Sequence, residues 1–161
     1  MIRPHLIDKV EIIEKNTRII AWKTFVMSEP FFEHHFDGNP VVPGAFLLEA
    51  VADAASVLLE QSDEEHRKSI PIMINNVKFR HFAGPGDHLR IEIEVKNLGA
   101  KVISTEFNIK RNETLIAVGD MIFNMHDNSE IIPEEHKLYG RTLHKIWLRE
   151  AKYIGFDKEV T

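Results

Sequence analysis

The segment "AFLLEAVADAASVLLE", residues 45–60, constrains the fold more than any other part of the chain. It is rich in Ala and Leu and contains no Gly or Pro, a composition that favours an α-helix. Apolar residues cover nearly the full circumference of that helix, so the segment predicts a central helix rather than one on the surface. Two carboxylates, Glu49 and Asp53, interrupt it one turn apart.

Alternating apolar and polar residues predict strands on both sides of this helix. Residues 8–26 predict a hairpin, and residues 70–126 predict about four further strands joined by short turns. Short turns imply antiparallel pairing. The predicted fold class is therefore α+β, with an antiparallel sheet of about five or six strands wrapped around one apolar helix. Because such a sheet covers only one side of the helix, we expect a dimer.

The chain divides into a main domain, residues 1–126, and a C-terminal extension, residues 127–161. In the extension, Pro133 suits the start of a helix, while Lys145 and Arg149 suit its later turns. We therefore expect one additional helix, packed on the domain or on a partner subunit.

Composition excludes several classes of function. The 161 residues contain no Cys, which removes disulfides and thiolate chemistry. A net charge of −5 without a basic cluster argues against nucleic-acid binding. No apolar run approaches the roughly 18 residues of a membrane span. The N-terminus lacks the apolar core of a signal peptide, so we expect a cytoplasmic protein that does not bind membranes.

The carboxylates of the central helix are candidates for acid–base chemistry. A carboxyl group that is buried without a charged partner tends to be protonated, and a protonated acid can donate a proton. Glu49 and Asp53, at positions i and i+4, share one face and disfavour each other's ionisation, whereas the helix dipole favours negative charge near the helix start. The net protonation state stays open. The alternative is that both residues line a solvated face.

The residues before the helix add two further elements of a site. Pro43 and Gly44 lead into the helix, where backbone N–H groups lack intrahelical partners and Gly44 permits close approach of a ligand. His34 and His35 are adjacent in an extended segment, so at most one of them enters a given cavity. Together with the helix carboxylate they indicate an acid–base site beside an oxyanion-binding backbone. A metal site that includes Asp37 lacks a recognised ligand spacing.

Two segments carry a resemblance to a known family. These are "EPFFEHHFDGNPVVPGAFLLEAVADAA" and "VKFRHFAGPGDHLRIEIEV". They resemble the hot-dog-fold β-hydroxyacyl-(acyl carrier protein) dehydratases of bacterial fatty-acid synthesis, and the resemblance extends from about residue 5 to 126. The ordered combination of a His-Phe pair, Gly-x-Pro, Pro-Gly and a helix with Glu is specific, although its single parts are common.

The resemblance implies a reaction and its residues. His35 would be the catalytic imidazole, Glu49 the acid contributed by the partner subunit, and the Gly44 backbone N–H the donor to the thioester carbonyl. The implied reaction is dehydration of a 3-hydroxyacyl thioester to the trans-2-enoyl thioester, which needs no metal and no redox cofactor.

Substrate and partner contacts follow from the same resemblance. It implies that four residues line the substrate, namely Phe36, Pro43, Phe46 and Asp53. Arg80 and His81 occupy positions where the family has basic residues near the tunnel mouth, and would dock an acidic acyl carrier protein that carries a 3-hydroxyacyl phosphopantetheine. The expected assembly is a homodimer or a trimer of dimers.

Three positions differ from the family pattern. His34 and Asp37 stand where the family usually has Gly and Pro, and Asp53 stands where it usually has Gln. Two alternatives to the dehydratase stay open. One is a hot-dog acyl thioesterase with a helix carboxylate as base or nucleophile. The other is a non-catalytic acyl-binding subunit of a heterodimeric dehydratase. The acyl chain length and the lipid pathway are not predicted.

Overall fold

A computed structural model describes residues 6–127 and 143–156. In these residues a seven-stranded sheet wraps one long helix, α1, Gly44–Ser62. The strands in chain order are β1 Lys9–Glu14, β2 Arg18–Thr24, β3 Lys68–Phe79, β4 His88–Leu98, β5 Val102–Arg111, β6 Thr114–His126 and β7 Lys152–Ile154. The predicted α+β class, the hairpin and the central helix are confirmed, and the strand count exceeds the expected five or six by at least one.

The strands are ordered β3-β6-β5-β4-β2-β1-β7 across the sheet. Neighbours pair antiparallel except β1 and β7, which pair in parallel. The hairpins β1–β2, β4–β5 and β5–β6 use the short turns that the sequence predicts. β3 lies beside β6, so the chain crosses from one edge of the sheet to the middle after β3 ends.

Helix α1 packs its apolar residues against the concave face of the sheet. The core residues that it contributes include Leu47, Ala50, Val51, Ala54, Ala55, Val57, Leu58 and Leu59. The burial is not complete around the helix, because Ala45 is exposed and Glu49 and Ser56 are only half-buried. Within the described residues, one face of α1 thus stays partly open. No helix within residues 6–127 and 143–156 combines the length and apolarity that crossing a bilayer requires.

Strand β3 forms an open edge of the sheet. It pairs with β6 on one side, and three consecutive residues, Ile72, Met73 and Ile74, expose 53%, 51% and 45% of their surface. Apolar side chains on an unpaired edge strand are a liability in a monomer and a usual feature of an interface.

The described part of the C-terminal extension joins the main domain. Residues 143–148 are helical (α2), and Trp147 and Leu148 belong to the same buried core as α1. The chain then forms β7, which extends the sheet beyond β1 and which the sequence analysis did not predict. Pro133, the predicted start of the additional helix, lies outside the described residues. The domain boundary after residue 126 stays a prediction.

Candidate active site

An aromatic cluster fixes the loop between β2 and α1. This loop contains a 3₁₀ helix, Pro30–Glu33. Phe31 stacks on Phe46 of α1 with ring centroids 4.5 Å apart and meets Phe25 edge-on at 5.9 Å. Such pairs add to the stabilisation that burial gives. The rings therefore hold the histidine-bearing loop against the first turn of α1.

The imidazole of His35 has a defined orientation. Its Nδ1 lies 3.0 Å from the carbonyl oxygen of Val41, and the Val41 N–H donates back to the His35 carbonyl at 2.8 Å. Because a carbonyl oxygen only accepts, Nδ1 carries the hydrogen and Nε2 of the neutral ring is left with its lone pair. His34 is exposed, whereas His35 is half-buried. In the described residues no three His, Asp or Glu side chains are grouped to hold a metal ion.

The start of α1 is enclosed by the loop that follows β3. The Val42 N–H donates to the carbonyl of Ala83 at 2.8 Å, which ties the two loops together. Pro43 caps the helix, and Gly44 is its first residue, so the N–H of Gly44 has no intrahelical acceptor. A Cβ added to Gly44 would lie 2.7 Å from Cζ of Phe79. The ring of Phe79 thus lies directly against the helix start.

Glu49 lies on the open face of the helix. It follows Gly44 by five residues, which places it roughly 7.5 Å further along the helix axis. Its side chain is half-buried, and Ala45 one turn earlier is exposed. The carboxylate is therefore next to the surface of α1 that its own sheet leaves uncovered.

Asp53 has a contact that sequence reasoning missed. Its side chain is 8% exposed, and Oδ2 accepts a hydrogen bond from the backbone N–H of Leu6 at 2.7 Å. The carboxylate thus anchors the N-terminal segment to the middle of α1. No local pattern signals a partner 47 residues away. That Asp53 lines the substrate stays a prediction.

The remaining predicted residues lie on the loop before α1 and on the loop after β3. Phe36 is 56% exposed and stacks on the imidazole of His35, with ring centroids 4.2 Å apart. Arg80 and His81 follow β3 directly, are exposed, and both direct their backbone N–H groups to Ile116. Lys78 is also exposed, and these three basic residues, which flank Phe79 in the sequence, are called the basic strip below; Glu106 and Asp120 lie near Lys78 and Arg80.

Comparisons with known proteins decide the family. The sequence model of the FabA-like domain matches residues 4–122, well over half of the chain. The chain belongs to the FabA-like family. A Clostridium tetani protein named 3-hydroxyacyl-(acyl-carrier-protein) dehydratase FabZ is 38% identical to this chain over 120 residues. The match covers 73% of this chain and 84% of that protein. A FabZ dehydratase of an Anaeromyxobacter species is 43% identical over 101 residues, covering 59% of the chain and 64% of that relative's length.

Solved structures agree with this FabA-like assignment at the level of the fold. A chain of the dehydratase heterocomplex ApeI:P from Xenorhabdus doucetiae has a TM-score of 0.62 at 16% identity, covering 78% of this chain and 86% of that one. A hypothetical thioesterase with coenzyme A from Streptococcus pneumoniae has a TM-score of 0.57 at 15% identity, covering 74% and 85%. The hot-dog fold expected from the sequence is thereby confirmed.

Proposed function

We propose that this FabA-like protein dehydrates 3-hydroxyacyl thioesters borne by acyl carrier protein. The observation that carries the proposal is the orientation of His35, whose Nδ1 is held by Val41 while Nε2 is left with its lone pair. The imidazole lies on the loop that leads into the helix start at Gly44. Two FabZ dehydratases at 38% and 43% identity support the same reaction.

The proposed chemistry uses three groups. Nε2 of His35 takes the α-proton, which the thioester carbonyl acidifies. The N–H of Gly44, at the positive end of the α1 dipole, stabilises the oxygen of the developing enolate. The β C–O bond then breaks, and Glu49 delivers its proton to the departing hydroxyl, which leaves as water. The product is a trans-2-enoyl thioester.

The site is completed in a homodimer, in which Glu49 reaches the His35 of the partner. Two surfaces support this assembly, the open edge at β3 and the uncovered face of α1. Exposed Ile72, Met73 and Ile74 on β3 would be buried between copies. A trimer of such dimers would add a second contact, between dimers, to this interface.

The proposed carrier-protein contact is the basic strip of Lys78, Arg80 and His81. The chain as a whole carries a net charge of −5, so attraction of an acidic partner requires a local positive surface. Phe36 lies on the loop before α1, while Pro43 caps that helix and Phe46 lies in its first turn, and these three residues would line the acyl thioester.

The test is turnover of a short 3-hydroxyacyl thioester, followed as formation of the conjugated enoyl product. We expect His35→Ala and Glu49→Gln each to lower kcat by about 10²- to 10⁴-fold, because each removes a proton-transfer group. The matched control is His34→Ala, which removes the exposed neighbouring imidazole and should leave kcat within a few-fold of wild type. Circular dichroism verifies that every variant is folded.

Other outcomes assign the alternatives. Release of free thiol without enoyl product would establish a thioesterase. Binding of the thioester without either reaction would establish a non-catalytic acyl-binding subunit, and the three departures at His34, Asp37 and Asp53 would then be reverted to the family residues.

Mixing the two inactive variants tests the shared site. If Glu49 acts across the dimer, subunits with His35→Ala and with Glu49→Gln, refolded together in equal amounts, regain about one quarter of wild-type activity. Half of the dimers are then mixed, and each mixed dimer has one intact site. If both groups act within one subunit, every site in the mixture is defective and no activity returns.

A further inference from the structure

The contact between Gly44 and Phe79 joins the start of α1 to the end of β3. An ideal Cβ at position 44 would lie 2.7, 3.0 and 3.2 Å from the three outer ring carbons Cζ, Cε1 and Cε2 of Phe79. Gly44 has no positive φ that would demand glycine, so a side chain at this position is limited by space and not by backbone conformation. The tip of the ring occupies that space.

The backbone of Phe79 is held firmly although its ring is half open. Phe79 pairs with Ala117 in the register of β3 and β6, and the next N–H, of Arg80, donates to Ile116 at 2.7 Å. The ring itself is 52% exposed in the single chain. An exposed aromatic face beside an unpaired helix N–H is an apolar surface available to a ligand.

We propose that Phe79 is a positioning residue that forms one wall of the thioester site at Gly44. This inference rests on the proposed function, because a thioester carbonyl that accepts a hydrogen bond from the Gly44 N–H must lie beside the Phe79 ring. The ring packs on the carbons next to the thioester and keeps the carbonyl oxygen in line with the helix start. Phe79 transfers no proton, so its loss acts on binding more than on the chemical step.

Gly44 and Phe79 act as one unit in this arrangement. A Cβ at position 44 would push the ring rather than the backbone, since the ring tip is the far end of a half-exposed side chain. The wall would then be displaced in much the same way as when the ring is removed. Substitutions at the two positions are therefore expected to be non-additive.

Binding of a non-reactive ligand tests the wall without requiring turnover. The probe is the amide analogue of a short 3-hydroxyacyl pantetheine, titrated by calorimetry into wild type, Phe79→Ala, Phe79→Leu, Gly44→Ala and the double variant Gly44→Ala with Phe79→Ala. We expect Phe79→Ala to raise Kd about tenfold, as burial of an aromatic side chain against a ligand implies. Phe79→Leu keeps an apolar wall and should restore part of the affinity. The control is Leu98→Ala, which removes a side chain with the same 52% exposure elsewhere in the sheet and should leave Kd unchanged.

The double variant provides the second readout. We expect it to bind the analogue within about twofold of the weaker single variant, because the two substitutions remove the same wall. Losses that multiply across the two positions would overturn the inference, as would a Phe79→Ala protein that binds like wild type or a wild type that does not bind the analogue. Ring-dependent binding by a wild type that forms no enoyl product would contradict the proposed reaction and uphold the positioning role of Phe79.

Discussion

At the scale of single residues, the structure separates two carboxylates that the sequence presents as equals. Glu49 and Asp53 lie one turn apart on α1, and either could be a buried acid. Glu49 is half-buried on the open face of the helix, whereas Asp53 is 8% exposed and accepts a hydrogen bond from Leu6. A hydrogen bond from a backbone N–H satisfies a buried carboxylate, so the role of Asp53 in the described structure is structural.

The anchor formed by Asp53 leads to a stability prediction. Asp53→Leu leaves the buried N–H of Leu6 without an acceptor and should lower the free energy of unfolding by about 1–3 kcal/mol. Asp53→Asn keeps a side-chain oxygen that can accept this bond, so its loss should be smaller. Urea unfolding of the three proteins measures both. Equal losses for Asn and Leu would show that the negative charge, rather than the hydrogen bond, holds the N-terminal segment.

At the scale of elements, two carboxylates at the C-terminal end of α1 each pair with a basic side chain, but their pKa values shift in opposite directions. Burial raises the pKa of Glu60, and the ion pair with Lys68 and the hydrogen bonds from Ser69 offset only part of this increase. Burial also acts on Asp63, but the side-chain and backbone hydrogen bonds from Arg67 outweigh it and lower the pKa of Asp63.

These directions predict pH dependences of opposite sign. Above the ordinary Glu value of about 4.3, folded Glu60 holds its proton longer than the unfolded chain, so its contribution to the free energy of unfolding falls as pH rises. Glu60→Gln should therefore gain stability relative to wild type as pH rises above about 4. Asp63→Asn should approach wild type in stability as pH falls from about 4 through the lowered pKa of folded Asp63, because protonation of Asp63 removes its contribution. Urea unfolding across pH 2.5–7.5 measures both, and differences that do not change with pH would contradict the assignment.

At the scale of the whole molecule, the two edges of the sheet differ. β7 pairs with β1 at one edge, and α2 buries Trp147 and Leu148 in the core next to it. β3 at the other edge keeps its exposed apolar residues. The described part of the extension, residues 143–156, thus extends the sheet at the β1 edge, while the β3 edge keeps the exposed apolar surface that the proposed dimer would bury.

The extension is expected to contribute strongly to stability. Trp147 is 5% exposed, so Trp147→Ala should lower the free energy of unfolding by about 3–5 kcal/mol through lost burial and an unfilled cavity. The control is Ile146→Ala in the same helix, where the side chain is 51% exposed and a loss below about 1 kcal/mol is expected. Denaturant titrations of both variants and of wild type measure these losses in the free energy of unfolding. Similar losses for the two variants would mean that the extension is docked only loosely on the core.

Much of this protein was predictable because its signals are local. The apolar circumference of residues 45–60 predicts a central helix, and the alternation in residues 88–126 predicts strands, since propensity and burial repeat at the period of each element. The motif from His35 to Glu49 predicted the family, because its spacing is set by one loop and the helix that follows it.

The remaining features were decided by the tertiary structure alone. The hydrogen bond between Asp53 and Leu6 joins positions 47 residues apart, and the ring of Phe79 reaches Gly44 from another element. β7 has three residues, which are too few for an alternation to be visible. It pairs with β1, although the two strands lie near opposite ends of the chain. Local pattern fixes which face of an element is apolar, whereas packing of distant elements decides which side chains meet, and that choice leaves no periodic trace in the sequence.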